Sequence, residues 1–163
     1  MTDLSTSYLG LALANPLVVS ASPLSQHVAQ IQKMAYLGAG AVVLPSLFEE
    51  QLTASNEGQA PAAEPLPDVA SYNFGPGGYL EHIRQAKAAA TIPIIASLNA
   101  TTPGGWVTYA REIEAAGADA LELNVYDVPT SPEVTGATLE QRYCDLVGLL
   151  KANVRLPLRL SAQ

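Results

Sequence analysis

Five short apolar runs alternate along the chain with longer segments in which apolar residues recur every three to four positions. The short runs predict strands at Leu17–Ser20, Ala41–Leu44, Ile94–Leu98, Ala120–Asn124 and Leu156–Leu160. The longer segments predict helices at Gln26–Leu37, Tyr79–Ala90, Trp106–Ala116 and Leu139–Val154. Strands that alternate with helices in this way indicate βαβ units and a parallel sheet.

The strand count favours a barrel as the fold class. A (β/α)₈ TIM barrel needs about eight such strands over roughly 250 residues, whereas this chain has 163 residues. We therefore expect a single α/β domain over residues 1–163, forming about the first five β/α units of a larger barrel. An open doubly wound sheet is less favoured, because no Gly-x-Gly-x-x-Gly motif follows the first strand.

Two irregular segments lie outside this alternation. Thr6–Leu13 predicts a small hairpin ahead of the first barrel strand. Thr53–Asp68 is rich in alanine, proline and glutamate and predicts a long loop after the second strand. In a barrel this loop would lie on the face that carries the active site, where long loops are either lids or disordered.

Composition narrows the class of protein. The net charge of −7 and the pI of about 4.6 argue against a nucleic-acid partner, because an acidic surface repels phosphate. The single cysteine, Cys144, rules out an internal disulfide, and its place within a helical pattern indicates packing rather than a nucleophile. No signal sequence and no apolar run of membrane-spanning length are present, which predicts a cytoplasmic protein without a membrane partner.

Polar residues at the carboxyl ends of the predicted strands are the candidate functional groups, because barrel sites form there. Small hydroxyls and carboxamides predominate in this set, and they suit a planar heterocycle with both donors and acceptors better than a metal ion. Asn124 and Asn99 are the leading amides, although either could simply satisfy a turn. Glu122 within its strand is more typical of a structural ion pair than of a base. His27 and His82 follow helical patterns and are expected at the surface or in packing.

Two of these strand ends resemble the dihydroorotate dehydrogenase family. The stretches are Asn15-Pro16-Leu17-Val18-Val19-Ser20-Ala21-Ser22 and Ala116-Gly117-Ala118-Asp119-Ala120-Leu121-Glu122-Leu123-Asn124. Pro93–Asn99 and Gly104-Gly105-Trp106-Val107 are similar to the dihydroorotate dehydrogenase-like branch. The resemblance implies an FMN-dependent barrel oxidoreductase of pyrimidine biosynthesis that oxidises a dihydropyrimidine.

The resemblance also implies roles for individual residues. Those at the family's cofactor-binding positions are Ser20, Ala21, Ser22, Ser46, Asn124 and Arg159, and those at its substrate-binding positions are Asn99, Asn124 and Tyr126. Asp127 falls near the general-base position, where the family has cysteine or serine. The family's lysine after the second strand is absent, because that segment reads Leu44-Pro45-Ser46. At the fifth strand Arg159 replaces another lysine, and a guanidinium is not equivalent to an ammonium group.

Three hypotheses follow. The first is a partial member of this flavoprotein family that is inactive as a separate chain and that self-associates or pairs with a chain supplying the missing strands. The second is a non-catalytic binding or scaffold protein on a degenerate flavin barrel. The third is a flavin enzyme with different chemistry, in which Asp127 or Tyr126 transfers protons.

Overall fold

The computed structural model describes residues 2–49, 74–99, 106–125, 131 and 133–162. The predicted loop at Thr53–Asp68 lies outside these residues. The strands are β1 (Thr6–Tyr8), β2 (Leu11–Leu13), β3 (Val18–Val19), β4 (Ala41–Phe48), β5 (Ile94–Asn99), β6 (Ala120–Val125) and β7 (Leu158–Ala162). The helices are α1 (Val28–Tyr36), α2 (Gly75–Ala89), α3 (Trp106–Ala116) and α4 (Gly136–Asn153), and a 3₁₀ turn at Pro23–Gln26 precedes α1.

Five parallel strands form a half-barrel in the order β3-β4-β5-β6-β7, with helices in the connections. This confirms the predicted α/β fold class and the alternation of strand and helix. The boundaries differ from the sequence prediction in two places. The first strand is only two residues long, and the second continues through Pro45 to Phe48. A proline normally ends a central strand, but here β4 passes it by a bulge.

The two faces of the sheet bury different kinds of residue. The outer face packs against the helices and forms the main core, in which Leu44, Ile94, Leu98, Leu121 and Leu123 are fully or almost fully buried. The inner face is narrower and has smaller residues near the amino ends of the strands. There Ala41, Val43, Ile95 and Ala120 form a second cluster with Leu13. Because the leucines of the sheet lie on the outer face, the helices pack on that face.

The predicted hairpin at Thr6–Leu13 is confirmed as the antiparallel pair β1–β2. Its two turn residues, Leu9 and Gly10, have positive φ angles of 54° and 76°, as a tight two-residue hairpin turn requires. Tyr8, Leu9 and Leu11 pack against the inner cluster. The hairpin therefore covers the inner face at the amino ends of the strands and leaves the carboxyl ends for a site.

The helices confirm most of the pattern and correct parts of it. α2 begins at Gly75, ahead of the predicted start at Tyr79, and Pro76 lies in its first turn, where it needs no hydrogen-bond donor. The first helix is divided by His27, whose extended backbone separates the 3₁₀ turn from α1. Cys144 is exposed on α4, so the prediction that it packs in the core is wrong. A helical period identifies the buried face of a helix reliably only when many residues of that face are buried. In α4 the buried residues are Leu146 and Leu150.

Asp119 joins the layers at the start of β6. Its carboxylate accepts hydrogen bonds from Lys87 Nζ at 2.7 and 2.8 Å and from the backbone N–H of Ile94 at 2.7 Å. Lys87 lies on α2 and Ile94 begins β5. One half-buried carboxylate thus joins α2, the start of β5 and the start of β6.

We predict that Gly40→Ala destabilises the fold by about 1–3 kcal/mol, the usual cost of overpacking. A Cβ at Gly40 would lie 2.3 Å from the carbonyl oxygen of Asn15, and this backbone has little freedom because the Gly40 N–H donates to Leu17 O at 2.8 Å. Urea unfolding measures the loss. The matched control is Gly148→Ala on α4, where a Cβ meets nothing within 4 Å and a gain of up to about 1 kcal/mol is expected. Equal effects at both glycines would contradict the prediction.

Candidate functional site

Polar side chains occupy the inner face of the half-barrel towards the carboxyl ends of the strands. They alternate with the outward-facing leucines of β5 and β6, as the period of two in a strand requires. The strand registers place these residues in two layers. The serine–glutamate layer contains Ser46, Ser97, Glu122 and Arg159, and the amide layer above it contains Asn99, Asn124 and Ser161.

Ser46 faces inward because of a bulge in β4. Between two register positions β4 advances from Val43 to Ser46, while β5 advances only from Ile95 to Ser97. The extra residue on β4 brings Ser46 opposite Ser97, and their hydroxyl oxygens lie 2.8 Å apart. Ser97 is fully buried and Ser46 is half-buried. Of this hydroxyl pair, only Ser46 is therefore accessible to a molecule in the barrel interior.

Tyr79 on α2 reaches the backbone of β5 beside the bulge. Its hydroxyl accepts a hydrogen bond from the Ser97 N–H at 2.9 Å and donates one to the Ser97 carbonyl at 3.2 Å. Burial raises the pKa of this hydroxyl well above its ordinary value of 10.0, so it remains protonated and keeps both roles. A side chain of α2 thus bonds the backbone of β5 directly.

Glu122 forms an ion pair across the strands with Arg159, with 2.5 Å between Oε2 and Nη1. The Glu122 side chain is only 11% exposed, whereas that of Arg159 is 47% exposed. This arrangement confirms the interpretation of Glu122 as a structural ion-pair residue. Arg159, predicted to bind the cofactor, is already engaged by a carboxylate and presents little uncompensated charge to a ligand.

Two buried polar atoms near the carboxyl ends have no hydrogen-bond partner. They are Oδ1 of Asn124, near the end of β6, and Oγ of Ser22, just after β3. A buried polar atom without a partner costs about 1–3 kcal/mol, and native structures rarely keep one without a reason. Both atoms belong to residues that the sequence predicted as ligand-binding. A bound molecule that presents N–H or O–H groups would satisfy them.

The loop after β3 carries the other predicted cofactor-binding residues. Ser20 and Ala21 are exposed and Ser22 is half-buried. The Ser22 carbonyl accepts hydrogen bonds from the hydroxyl of Ser25 at 2.9 Å and from its N–H at 3.1 Å. His82 Nε2 then donates to the Ser25 carbonyl at 2.8 Å, and its ring stacks on Phe74. This confirms His82 as a packing residue and ties the loop to α2, while His27 is exposed as predicted.

The structure brings some predicted residues together and leaves others untested. Asn99, Asn124, Ser46 and Arg159 lie in adjacent registers on neighbouring strands. Tyr126 and Asp127 lie outside the described residues, so the predicted base position has no described geometry.

In the described part of the chain, no group of three or more histidine, cysteine or carboxylate side chains could hold a metal ion. Over those same residues, no helix is both long and apolar enough to cross a membrane.

Sequence reasoning missed the contribution of Tyr79. It was predicted only as the first residue of a helix, and a hydroxyl that bonds a strand backbone leaves no periodic signal. The one available signal was Pro45 after an apolar run, because a proline within a central strand indicates a bulge.

The half-barrel and the polar layers at its carboxyl end are typical of TIM-barrel enzymes. The fold resembles a dihydrodipicolinate synthase from Agrobacterium tumefaciens strain C58, with a TM-score of 0.52 and 15% identity over 88% of this chain and 43% of that one. A second dihydrodipicolinate synthase gives a TM-score of 0.51 and 14% identity, covering 88% of this chain and 44% of that one. At such low identity these likenesses show the fold alone.

Sequence relatives identify the family. The chain is 31% identical over 167 aligned positions to the catalytic subunit of dihydroorotate dehydrogenase B (NAD(+)) from Thermoplasma acidophilum, and 28% identical over 173 positions to that from Thermoplasma volcanium. Each match covers 96% of this chain and 53% of the relative. No protein-family model matches the chain. The resemblance to the dihydroorotate dehydrogenase family is therefore confirmed, and the chain spans about half the length of these curated relatives.

We predict that Arg159→Met lowers the free energy of unfolding by about 1–3 kcal/mol, because it leaves the buried Glu122 carboxylate without its cation. The double variant Glu122→Gln/Arg159→Met should recover part of this loss, since an uncharged amide costs less to bury. Urea unfolding at neutral pH measures all three proteins. A double variant less stable than Arg159→Met would contradict the prediction.

We also predict that acid destabilises the loop after β3 through His82. Burial lowers the pKa of His82 below its ordinary value of 6.5. As the pH falls through 6.5, the unfolded chain gains a proton that the folded state refuses, so stability is kept above this pH and lost below it. The urea midpoint should fall between about pH 7.5 and about pH 5.5, and His82→Gln should reduce that fall.

The matched control for this prediction is His27→Gln at the exposed histidine that precedes α1. It should keep most of the wild-type pH dependence, because burial lowers the pKa of His82 more than the nearby charge of His27 does. A His82→Gln variant with the same pH dependence as wild type would show that other groups carry the effect.

Proposed function

We propose that this chain forms part of an FMN-dependent oxidoreductase of the dihydroorotate dehydrogenase type, which oxidises a dihydropyrimidine at a CH–CH bond. The names of the curated relatives support the dehydrogenase class. The observation that carries the proposal for this chain is the unpartnered Oδ1 of Asn124 in a ring of hydroxyls and amides. Flavin and pyrimidine rings both present N–H groups and carbonyls along one edge, so these residues fit such rings.

The residues of the chain have separable tasks in this proposal. Asn124 Oδ1 accepts a hydrogen bond from a ring N–H, and the Ser22 hydroxyl gains its missing partner from the same ligand environment. Asn99, one strand away from Asn124, orients the substrate ring with it. Ser20, Ala21 and Ser46 bring small groups close to the cofactor, and Arg159 contributes through the part of its guanidinium that Glu122 leaves free.

When bound, FMN supplies the acceptor for the substrate hydride. The proton that leaves with the hydride needs a base, and we propose Asp127 for this task with Tyr126 beside it at the substrate. These two residues lie outside the described part of the chain, and their roles rest on the family resemblance. A carboxylate there would act as a general base with a pKa tuned by its surroundings.

We further propose that the isolated chain binds flavin weakly and does not turn over. Within the described sheet, β3 and β7 each pair with a strand on one side only. Open edges admit water and invite pairing with another strand. A second copy or a chain that supplies further strands is therefore the proposed macromolecular partner. We propose a cytoplasmic location, with neither nucleic acid nor membrane as a partner.

A non-catalytic binding or scaffold role on the same fold is the second candidate. Pro45 favours it, because a proline occupies the place where the family carries a lysine in the cofactor site. The ion pair between Glu122 and Arg159 favours it too, since it leaves little free positive charge near a bound ring. Loss of chemistry with retention of a fold is common among barrels.

We predict that the purified chain binds FMN weakly and saturably, which an equilibrium titration followed by flavin fluorescence detects without a desalting step. Asn124→Ala should weaken FMN binding about tenfold, as expected for the loss of one buried hydrogen bond. The same change should leave the ligand-free chain equally stable or more stable, because it removes an unsatisfied buried oxygen. Flavin fluorescence titration and urea unfolding measure the two effects.

The matched control is Asn153→Ala on α4, where the amide donates to Leu149 O and accepts from Arg111 far from the site. This variant should lose stability and keep its FMN affinity. A wild-type chain whose titration shows no FMN binding would support the scaffold role, and an Asn124→Ala variant with unchanged affinity would remove Asn124 from the ligand contacts.

A further inference from the structure

We propose that Tyr79 is a positioning residue of the ligand site: it stabilises the bulge in β4 that directs the Ser46 hydroxyl towards a carbonyl of the bound heterocycle. This inference rests on the proposed function for the identity of the ligand. The placement of Ser46 by Tyr79 rests on the hydrogen bonds that each of them makes to Ser97. Nothing in the sequence pattern of α2 connects Tyr79 with the barrel interior.

The first step is the effect of the bulge on the direction of Ser46. Without the extra residue, Pro45 would lie opposite Ser97, and Ser46 would move opposite Leu98 on the face that packs against the helices. A shift of one residue sends a side chain to the other face of the sheet. The observed register instead pairs Ser46 with Ser97 and Leu47 with Leu98. The bulge therefore decides whether the site has this hydroxyl.

The second step is the direction of the backbone groups of β5 at the bulge. The carbonyl of Pro93 accepts from Val42 on β4, while that of Ile94 accepts from Asp119 before β6. Backbone groups of β5 therefore alternate between the two neighbours, and those of Ser97 point towards β4. The extra residue of β4 lies at this point, and a bulge locally disrupts the ladder. The Ser97 peptide groups therefore face the irregular part of the ladder, where additional hydrogen bonds can stabilise it.

The third step is that the Tyr79 hydroxyl bonds both peptide groups of Ser97 beside the bulge. It accepts from the Ser97 N–H and donates to the Ser97 carbonyl. Tyr79 is 1% exposed, so water cannot easily take its place. Phenylalanine at this position would fill nearly the same volume but remove both hydrogen bonds, and the bulge would lose this support.

The fourth step follows the hydrogen bonds from Ser97 to the ligand. The Ser46–Ser97 pair uses one of its two hydroxyl protons between the oxygens. We assign Ser97 as the donor to Ser46, because Ser97 is fully buried and Ser46 is only half-buried. This assignment leaves the proton of Ser46 for an acceptor in the barrel interior. An acceptor is required there, and a ring carbonyl of a flavin or a pyrimidine provides one. Tyr79, Ser97 and Ser46 thus form one chain from the helix layer to the ligand.

The experiment compares the FMN affinity of Tyr79→Phe, Ser46→Ala and their double variant. Each single change should weaken binding about tenfold, and the double variant should be little weaker than either one, because both remove the same contact. The control is Tyr109→Phe, which also deletes a largely buried phenol hydroxyl, here one that donates to Pro76 O at 2.5 Å. It should change the FMN affinity by less than about twofold.

Two results would overturn the proposal while the proposed function stands. One is a Tyr79→Phe variant that binds FMN like Tyr109→Phe. The other is a double variant whose losses simply add, which would mean that Tyr79 does not act through Ser46. A wild-type chain that fails to bind FMN would instead refute the proposed function, and the assigned ligand role of Tyr79 with it.

Amide hydrogen exchange separates the structural part from the ligand part. The Ser97 amide should exchange slowly in wild type and in Tyr109→Phe, and at least about tenfold faster in Tyr79→Phe. If Tyr79→Phe does not fold, FMN binding to the wild-type chain provides the test instead. It should shift the NMR signals of the Ser97 amide and the Tyr79 ring, and unchanged signals with bound FMN would overturn the proposal.

Discussion

The candidate site depends on how one strand passes a proline. β4 lies between β3 and β5, and a break there would separate the first loop of the site from the rest. The bulge at Pro45 keeps β4 continuous to Phe48, and the Tyr79 hydroxyl bonds both peptide groups of Ser97 on the neighbouring strand. Helix packing, strand register and the chemistry of the interior are coupled at this point. A side chain of the helix layer therefore influences which groups the barrel shows to a ligand.

The electrostatics of the barrel interior depend on one ion pair, in which the charge of Arg159 compensates that of Glu122. A buried carboxylate in a barrel would repel an electron-rich ring, but Glu122 is paired with Arg159 across two strands. The pair leaves a site of nearly neutral hydroxyls and amides on a protein whose net charge is −7. A neutral heterocycle can bind there without meeting the charge of the outer surface. The same pairing limits what Arg159 can do as a substitute for the family's lysine, because much of its charge is already compensated.

Much of this architecture could be predicted from the sequence. Short apolar runs bounded by proline or glycine, with amphipathic segments between them, gave the order of strands and helices, and the resemblance gave the strand ends that matter. The burial of each side chain and its hydrogen-bond partners could not be predicted, because they depend on residues distant in the chain. Ser46 was predicted as the exit of a strand and lies within one, since a bulge has no periodicity of its own. Cys144 was predicted to pack and is exposed, because α4 buries only a narrow face against the sheet.

Under the proposed function, the described half-barrel meets only part of the requirements of a flavin site. In that proposal its strands supply groups for the edge of a ring: the Asn124 oxygen, the Ser22 hydroxyl and the inward Ser46. Barrels commonly hold a phosphate at the loops after the seventh and eighth strands, and the described sheet has five. Recognition of the ring and retention of the phosphate therefore belong to different parts of a barrel. Because ring contacts alone amount to a few hydrogen bonds of about 1 kcal/mol each, we infer that tight binding depends on strands placed beside the open edges β3 and β7. The specificity of the site is then encoded in this chain, and most of its affinity comes from whatever completes the barrel.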